Sequence, residues 1–252
     1  MTNHTSKPNP RPTSEPDPTV GPAPDPEAAP GGPLHLFVLL DRSGSMEAIR
    51  SEVIGGFNAF VAGQQINGAD ARLTMVQFDT QDLAETVVDD VPIRQVKPLT
   101  RARLQPRGGT PLLDATAHLV ARARAKVGDG PVDANVVVVT ITDGLENASR
   151  EFTRADIREM IGEREAAGWT FVYLSAGLDA YDDATSFGYA PGSVQAWAPD
   201  AEGATLAFSS LNVAVGGLRS KVRAAAPVDR HEVFGGHKPA EVDRRRKRGD
   251  GR

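Results

Sequence analysis

The chain has 252 residues, a formal net charge of −5 and no cysteine. Without thiols there is no disulfide, no thiolate metal site and no cysteine nucleophile, so any bound metal must be held by oxygen or imidazole. The acidic balance argues against nucleic acid as the main partner. No run approaches the ~20 apolar residues of a membrane span, and no basic start leads into a secretory h-region, so a cytoplasmic location is expected.

Residues 1–33 contain ten of the nineteen prolines, with Ser, Thr, Asp and Glu between them and almost nothing large and apolar. This composition predicts a disordered Pro-rich leader. Leu34 to Leu40 then reads as a short, continuous apolar strand of the kind that is covered on both faces. Met46, Ile49, Val53, Phe57 and Phe60 follow at steps of three and four, which gives a helix with one apolar face. The stretch "ARLTMVQFD" (Ala71 to Asp79) alternates as a strand, and "ETVVDDVPI" (Glu85 to Ile93) reads as another. The short link between them predicts a hairpin, with Pro92 suited to a sheet edge.

A loop rich in Arg, Pro and Gly leads into "GGTPLLDATAHLVARARAKV". Here Thr110 is the expected N-cap, Pro111 the first helical residue, and Leu112, Leu113, Leu119, Val120 and Val127 the buried stripe. "NVVVVTITDG" (Asn135 to Gly144) is the most apolar run and the expected central strand. Thr153 and Asp156 form a capping-box pattern for a helix bearing Ile157, Met160 and Ile161, which Gly168 can end. "WTFVYLSAG" and "SVQAWAP" supply two more strands, and a last helix runs from about Asp200 to Arg223. Residues 223–252, which include "RRRKR" (Arg244 to Arg248), read as a basic disordered tail that could touch nucleic acid only weakly. Arg248, Gly249 and Asp250 spell a tripeptide that some integrins recognise, an accident to be expected in a tail of this composition.

Strands and helices alternate between residues 34 and 222 with nearly continuous apolar strands. That pattern implies one α/β domain with a doubly wound, mostly parallel sheet of six strands. Ligands of such sheets bind beyond the carboxyl ends of strands where the winding reverses. Asp41, Thr110 and Asp143 all fall at or near such ends. Asp41, Ser43 and Ser45 alternate along one loop, so three oxygen-bearing side chains can turn toward one point before the helix begins. Each of the others has an ordinary alternative: Ser45 and Thr110 can cap helices, and Asp143 with Gly144 can form a turn. Together those alternatives leave Asp41 without a partner.

"DRSGS" resembles the D-x-S-x-S signature of von Willebrand factor type A domains, "GGTPL" their threonine loop, and "ITDGLEN" their T-D-G element. The resemblance covers about Leu34 to Val222 and suggests an intracellular bacterial type. It implies a Rossmann-like sheet with one antiparallel edge strand and helices on both faces. It also implies a metal-ion-dependent adhesion site whose ligands here would be Asp41, Ser43, Ser45, Thr110 and Asp143. Mg2+ is the ion implied, with Mn2+ and Ca2+ as alternatives; magnesium favours hard oxygen ligands in octahedral geometry.

The function implied is a non-catalytic module in which the cation grips an Asp or Glu of a partner protein. Family members of this kind work beside AAA+ ATPases or in multiprotein complexes, and they shift the last helix when such a ligand binds. Glu146 and Asn147 are expected to orient the Asp143 loop or to lie in solvent, and Asp79 is a candidate neighbour of the site. His35 and His118 have no catalytic surroundings and are expected to be structural or solvated.

Two rivals stand beside this reading. A haloacid-dehalogenase-type phosphotransferase also begins with an aspartate at a strand end, but needs a second aspartate where this chain has Ser43. The other is a metal-independent scaffold subunit of an AAA+ assembly. No G-x-x-x-x-G-K-[ST] or G-x-S-x-G motif is present to suggest nucleotide or acyl chemistry.

Overall fold

The computed structural model describes residues 1, 32–128, 135–144, 146–177, 179–236 and 238–249. The expected leader therefore lies almost wholly outside the described residues. Six strands form one sheet: β1 (Leu34–Asp41), β2 (Ala71–Asp79), β3 (Asp82–Pro92), β4 (Val136–Thr142), β5 (Thr170–Ser175) and β6 (Val194–Ala196). Their order is β3-β2-β1-β4-β5-β6, with every pair parallel except β2 and β3. The expected hairpin is thus present, turns at Thr80 and Gln81, and puts Pro92 on an edge strand. Central position explains the run of five apolar residues in β1, Leu36 to Leu40, and of four valines in β4. Both strands are covered on each face, so neither face can be polar.

The helices are α1 (Arg50–Asn67), entered through a 3-10 turn at Gly44–Ile49, α2 (Leu112–Val127), α3 (Arg154–Ala166), α4 (Ala180–Ser186), α5 (Ala201–Arg223) and α6 (Pro239–Arg248). One face of the sheet packs Leu36, Val38, Leu73 and Val139 against Phe57 of α1 and Phe208 and Leu211 of α5. The other face packs Phe37, Val138 and Phe171 against Leu119 of α2 and Ile157 of α3. The capping box at Thr153 forms as expected, with Asp156 N–H donating to Thr153 Oγ1 and Thr153 N–H to Asp156 Oδ2.

Three expectations need correction. Thr110 does not cap α2: the helix starts one residue later, at Leu112, and its N-terminal amides are satisfied from another loop (below). No helix is expected from the sequence between β5 and β6. Yet α4 forms there, burying only Ala180 and Ala184, so it has no apolar stripe to read.

The third correction concerns the basic tail. Residues 239–248 form α6, which packs on α5 and buries Ala240, Glu241, Asp243 and Arg244. Its charges are neutralised locally. Lys247 bonds both oxygens of Asp200 at 2.9 Å and lies 2.8 Å from Asp243, while Arg245 pairs with Glu241 at 3.1 Å. A charge run read alone looks solvated, but i,i+3 and i,i+4 pairing with acids of the same helix lets this one lie on a surface. Arg248 and Gly249 of the integrin-like tripeptide end this helix, while Asp250 lies outside the described residues.

Helix α5 is consequently fastened at both ends. Asp200, its N-cap, accepts from Gly203 N–H and is held by Lys247. Near its C-terminus the fully buried Arg219 donates to Gln64 O at 2.7 Å and to the Asp70 carboxylate.

Candidate metal centre

The winding of the sheet reverses between β1 and β4, and the implied ligands meet at the carboxyl ends of these two strands. Asp41 ends β1 fully buried, with Oδ1 accepting from Ser43 N–H at 2.6 Å and Oδ2 from Thr142 Oγ1 at 2.6 Å. The first bond folds the loop back on the strand end. The second ties it to β4. Ser43 is buried and Ser45 exposed, their Oγ atoms 3.1 Å apart, and Ser45 Oγ donates to Asp143 Oδ1 at 2.8 Å.

Thr110 belongs to the same cluster: a Cβ placed on Gly144 would lie 3.7 Å from Ser45 Oγ and 4.0 Å from Thr110 Oγ1. All five residues singled out in the sequence are therefore brought together.

The supporting loops are fixed by groups that patterning alone does not reveal. Asn147 exchanges two bonds with Thr110, its Oδ1 accepting from Thr110 N–H at 2.9 Å and its N–H donating to Thr110 O at 3.1 Å. Glu146 accepts from Ala148 and Ser149 N–H and from Leu113 N–H, so this loop also supplies the missing cap of α2. Glu146 and Asn147 thus orient the loop.

Asp79, at the end of β2, is fully buried and accepts from Arg42 Nε at 2.6 Å, Arg107 Nε at 2.9 Å and Gln81 N–H at 2.6 Å. Arg42 also pairs with Glu85. One carboxylate therefore staples the Asp41 loop to the loop before Thr110. Gly108 has φ +66, and a Cβ there would meet Thr80 Oγ1 at 2.4 Å, which explains a glycine at this crossing. His35 is half-buried beside Phe37, and His118 is exposed beside Glu151; neither is part of the cluster.

Burial pushes the Asp41 carboxyl up to about 6. The nearby Asp143 carboxylate adds to the shift, and the bonds from Thr142 and Ser43 oppose it. Burial also raises Asp143, against the bond from Ser45. Two carboxyls held in this state beside three hydroxyls form a hard-oxygen set suited to a small divalent cation. The spacing fits as well: adjacent corners of an octahedron with ~2.1 Å bonds lie about 3.0 Å apart. The Ser43–Ser45 and Ser45–Asp143 oxygens are 3.1 and 2.8 Å apart. Among the described residues no three carboxylate or imidazole groups converge, and this cluster relies on its hydroxyls to complete an oxygen set.

Because a proton and a cation would compete for Asp41, apparent affinity should fall as pH drops through about 6. Calorimetric titration with magnesium at pH 5.0 and 7.5 should show weakening of roughly tenfold. Equal affinities would place the ion away from Asp41.

Sheet order, the antiparallel edge strand and the oxygen cluster at the switch point define a doubly wound, Rossmann-like α/β domain. No family model and no curated protein matches the sequence. Among solved structures the chain is similar to proximal thread matrix protein 1 of the mussel byssus, at 15% identity and a TM-score of 0.50, covering 74% of this chain and 47% of that one. A form of that protein described with a zinc-occupied MIDAS motif matches at 17% identity with the same TM-score and coverage. The pilus adhesin SpaC from Lactobacillus rhamnosus GG, in its open conformation, is similar at 14% identity and a TM-score of 0.53, over 73% of this chain and 30% of that one. The chain thus spans under half the length of these proteins, and the likeness is one of fold.

Proposed function

We propose that this is a von Willebrand factor type A module without catalytic activity. In this reading Asp41, Ser43, Ser45, Thr110 and Asp143 hold a divalent cation, magnesium first, through which the protein binds an Asp or Glu of a partner. The observation that carries the reading is the continuous chain of oxygens from Ser43 through Ser45 to Asp143, at the spacing of octahedral corners. The zinc-occupied MIDAS motif of a protein with the same fold supports a divalent ion in this place.

The residues divide the work. Asp41 already accepts two hydrogen bonds and positions the loop, while Ser45 and Asp143 lie nearer the surface and face incoming ligand. When bound, the cation supplies an electrophilic position that a carboxylate oxygen can fill in place of water. Both oxygens of Asp41 are already engaged by Ser43 N–H and Thr142, so it need not contact the ion directly; a cation touched by only one carboxylate would keep net positive charge and favour an anionic ligand over a neutral one. Nothing in the cluster resembles the second aspartate of a phosphotransferase: Ser43 occupies that place. A cytoplasmic setting beside an AAA+ ATPase or within a multiprotein complex belongs to the same proposal.

Capture from the organism's lysate on immobilised protein, with magnesium and then with chelator, tests it. A partner retained only with metal, and lost when one of its acidic residues is replaced, is the expected result. Equal retention in both buffers would sink the mechanism.

A further inference from the structure

A charged segment adjoins the cluster. Residues 93–109, between β3 and α2, carry Arg94, Lys97, Arg101, Arg103 and Arg107 and no acidic residue, in a chain whose net charge is −5. The end of this segment is built into the Asp41 loop: Arg107 N–H donates to Arg42 O at 2.8 Å and Gly44 N–H to Gly108 O at 3.0 Å. Arg107 is engaged by Asp79 and Arg101 by Glu47. Arg94, Lys97 and Arg103 are exposed and, among the described residues, have no carboxylate in ion-pair range.

The same segment lines a cavity of about 390 Å³ against β3 and α1. Met75, Val88, Val91 and Leu99 give it a carbon lining, and Lys97 and Arg103 stand in its wall. Its one carboxylate, Asp89, is engaged by Lys126 at 2.9 Å. An opening of this kind suits an aliphatic side chain whose neighbours are acidic, because the apolar lining rewards burial and the free cations reward negative charge. A nucleic acid would satisfy the cations and leave the apolar lining unused.

Resting on the carboxylate–cation contact proposed above, the geometry points to a bipartite ligand: an extended acidic segment of a partner protein that places one carboxylate on the metal and seats an apolar side chain in this cavity, with flanking carboxylates on Lys97 and Arg103. The near wall of the cavity is close to the cluster. Gly108 and Arg103 are five residues apart, at most about 18 Å of extended chain, so a partner segment leaving the cluster reaches Arg103 within about six residues and the apolar lining beyond it a few residues later. The chain's own residues 12–33 include Glu15, Asp17, Asp25 and Glu27 and no base, which makes them the competing occupant.

The test is fluorescence anisotropy on the full chain in magnesium. The probes are labelled peptides with Asp near one end and a Leu flanked by Glu placed six, eight or ten residues on, and the tightest binder is carried forward. Two exposed charge reversals, Lys97→Glu with Arg103→Glu, should weaken binding at least about tenfold. Changing the peptide's Leu to Ser should weaken it as well, and magnesium affinity measured by calorimetry should stay the same in the double variant.

Peptide affinity indifferent to both changes would overturn the cavity contact and leave the metal centre standing. So would magnesium binding with no peptide binding at all, the result expected if the leader already fills the groove. Displacement of the peptide by an oligouridylate of equal charge at equal concentration would reassign the cations to nucleic acid. Failure of the chain to bind magnesium would remove the metal centre, and the bipartite ligand with it.

Discussion

Asp41→Asn should abolish divalent-cation binding and leave the metal-free protein at least as stable as the parent above pH 6. The variant keeps the shape of the side chain. Its amide oxygen can still accept from Ser43 N–H, and the Thr142 hydroxyl can turn to accept from the new NH2. What disappears is a buried negative charge. In the parent, burial raises this carboxyl to about 6, so the folded state favours its protonated form. Its contribution to stability is therefore fully present below about pH 4 and is lost as pH rises through 6, a change of roughly 3 kcal/mol. Urea unfolding of the metal-free proteins between pH 4 and 8 should show the parent losing stability relative to the variant across that window. Magnesium should then restore the parent alone. A variant that binds magnesium as the parent does, or that unfolds far more easily at pH 7.5, would remove Asp41 from the centre of the site.

A second large effect is expected at Asp79, for the opposite reason. Its carboxylate is buried but paired, with the guanidinium of Arg42 almost wholly buried beside it. Burial pushes its carboxyl up, but the bonds from Arg107 and Gln81 N–H together with the charge of Arg42 outweigh it and hold the carboxyl below the usual range. Asp79→Ala strands Arg42 in the interior with only Glu85, and removal of one partner of such a pair costs about 3–5 kcal/mol. Arg107→Ala removes only a solvent-exposed partner and should cost far less. Because Asp79 joins the Asp41 loop to the segment before Thr110, Asp79→Ala should also weaken magnesium binding even where the fold survives. Chemical denaturation and calorimetry of the two variants side by side would check this. Similar costs for both would mean that Arg42 finds compensation elsewhere.

The architecture is legible because the central strands β1 and β4 are written as nearly continuous apolar runs and each ends on a polar residue. Asp41 and Asp143 could be paired across a hundred residues once β1 and β4 were recognised as central neighbours. What escaped was held by tertiary pairing. Helix α6 buries only one apolar side chain, Ala240, and depends on Lys247 meeting Asp200 on another helix. Thr110 stands where an N-cap belongs, yet α2 takes its cap bonds from Glu146 and Ser149, more than thirty residues downstream. Asp79 could be flagged only as a neighbour, since nothing local shows that Arg42 and Arg107 turn toward it.

The polarity of β1 has a consequence for how the protein would be mounted. Leu34 and Asp41 stand at opposite poles of an eight-residue strand, about 23 Å apart. The oxygen cluster lies at the far pole from the point where the Pro-rich segment joins the domain. A chain moored through that segment would therefore present its cluster outward, like a hook on the free end of a line. The same polarity makes immobilisation through residues upstream of Pro33 the natural orientation for a binding experiment, because the attached surface and the binding face then look in opposite directions.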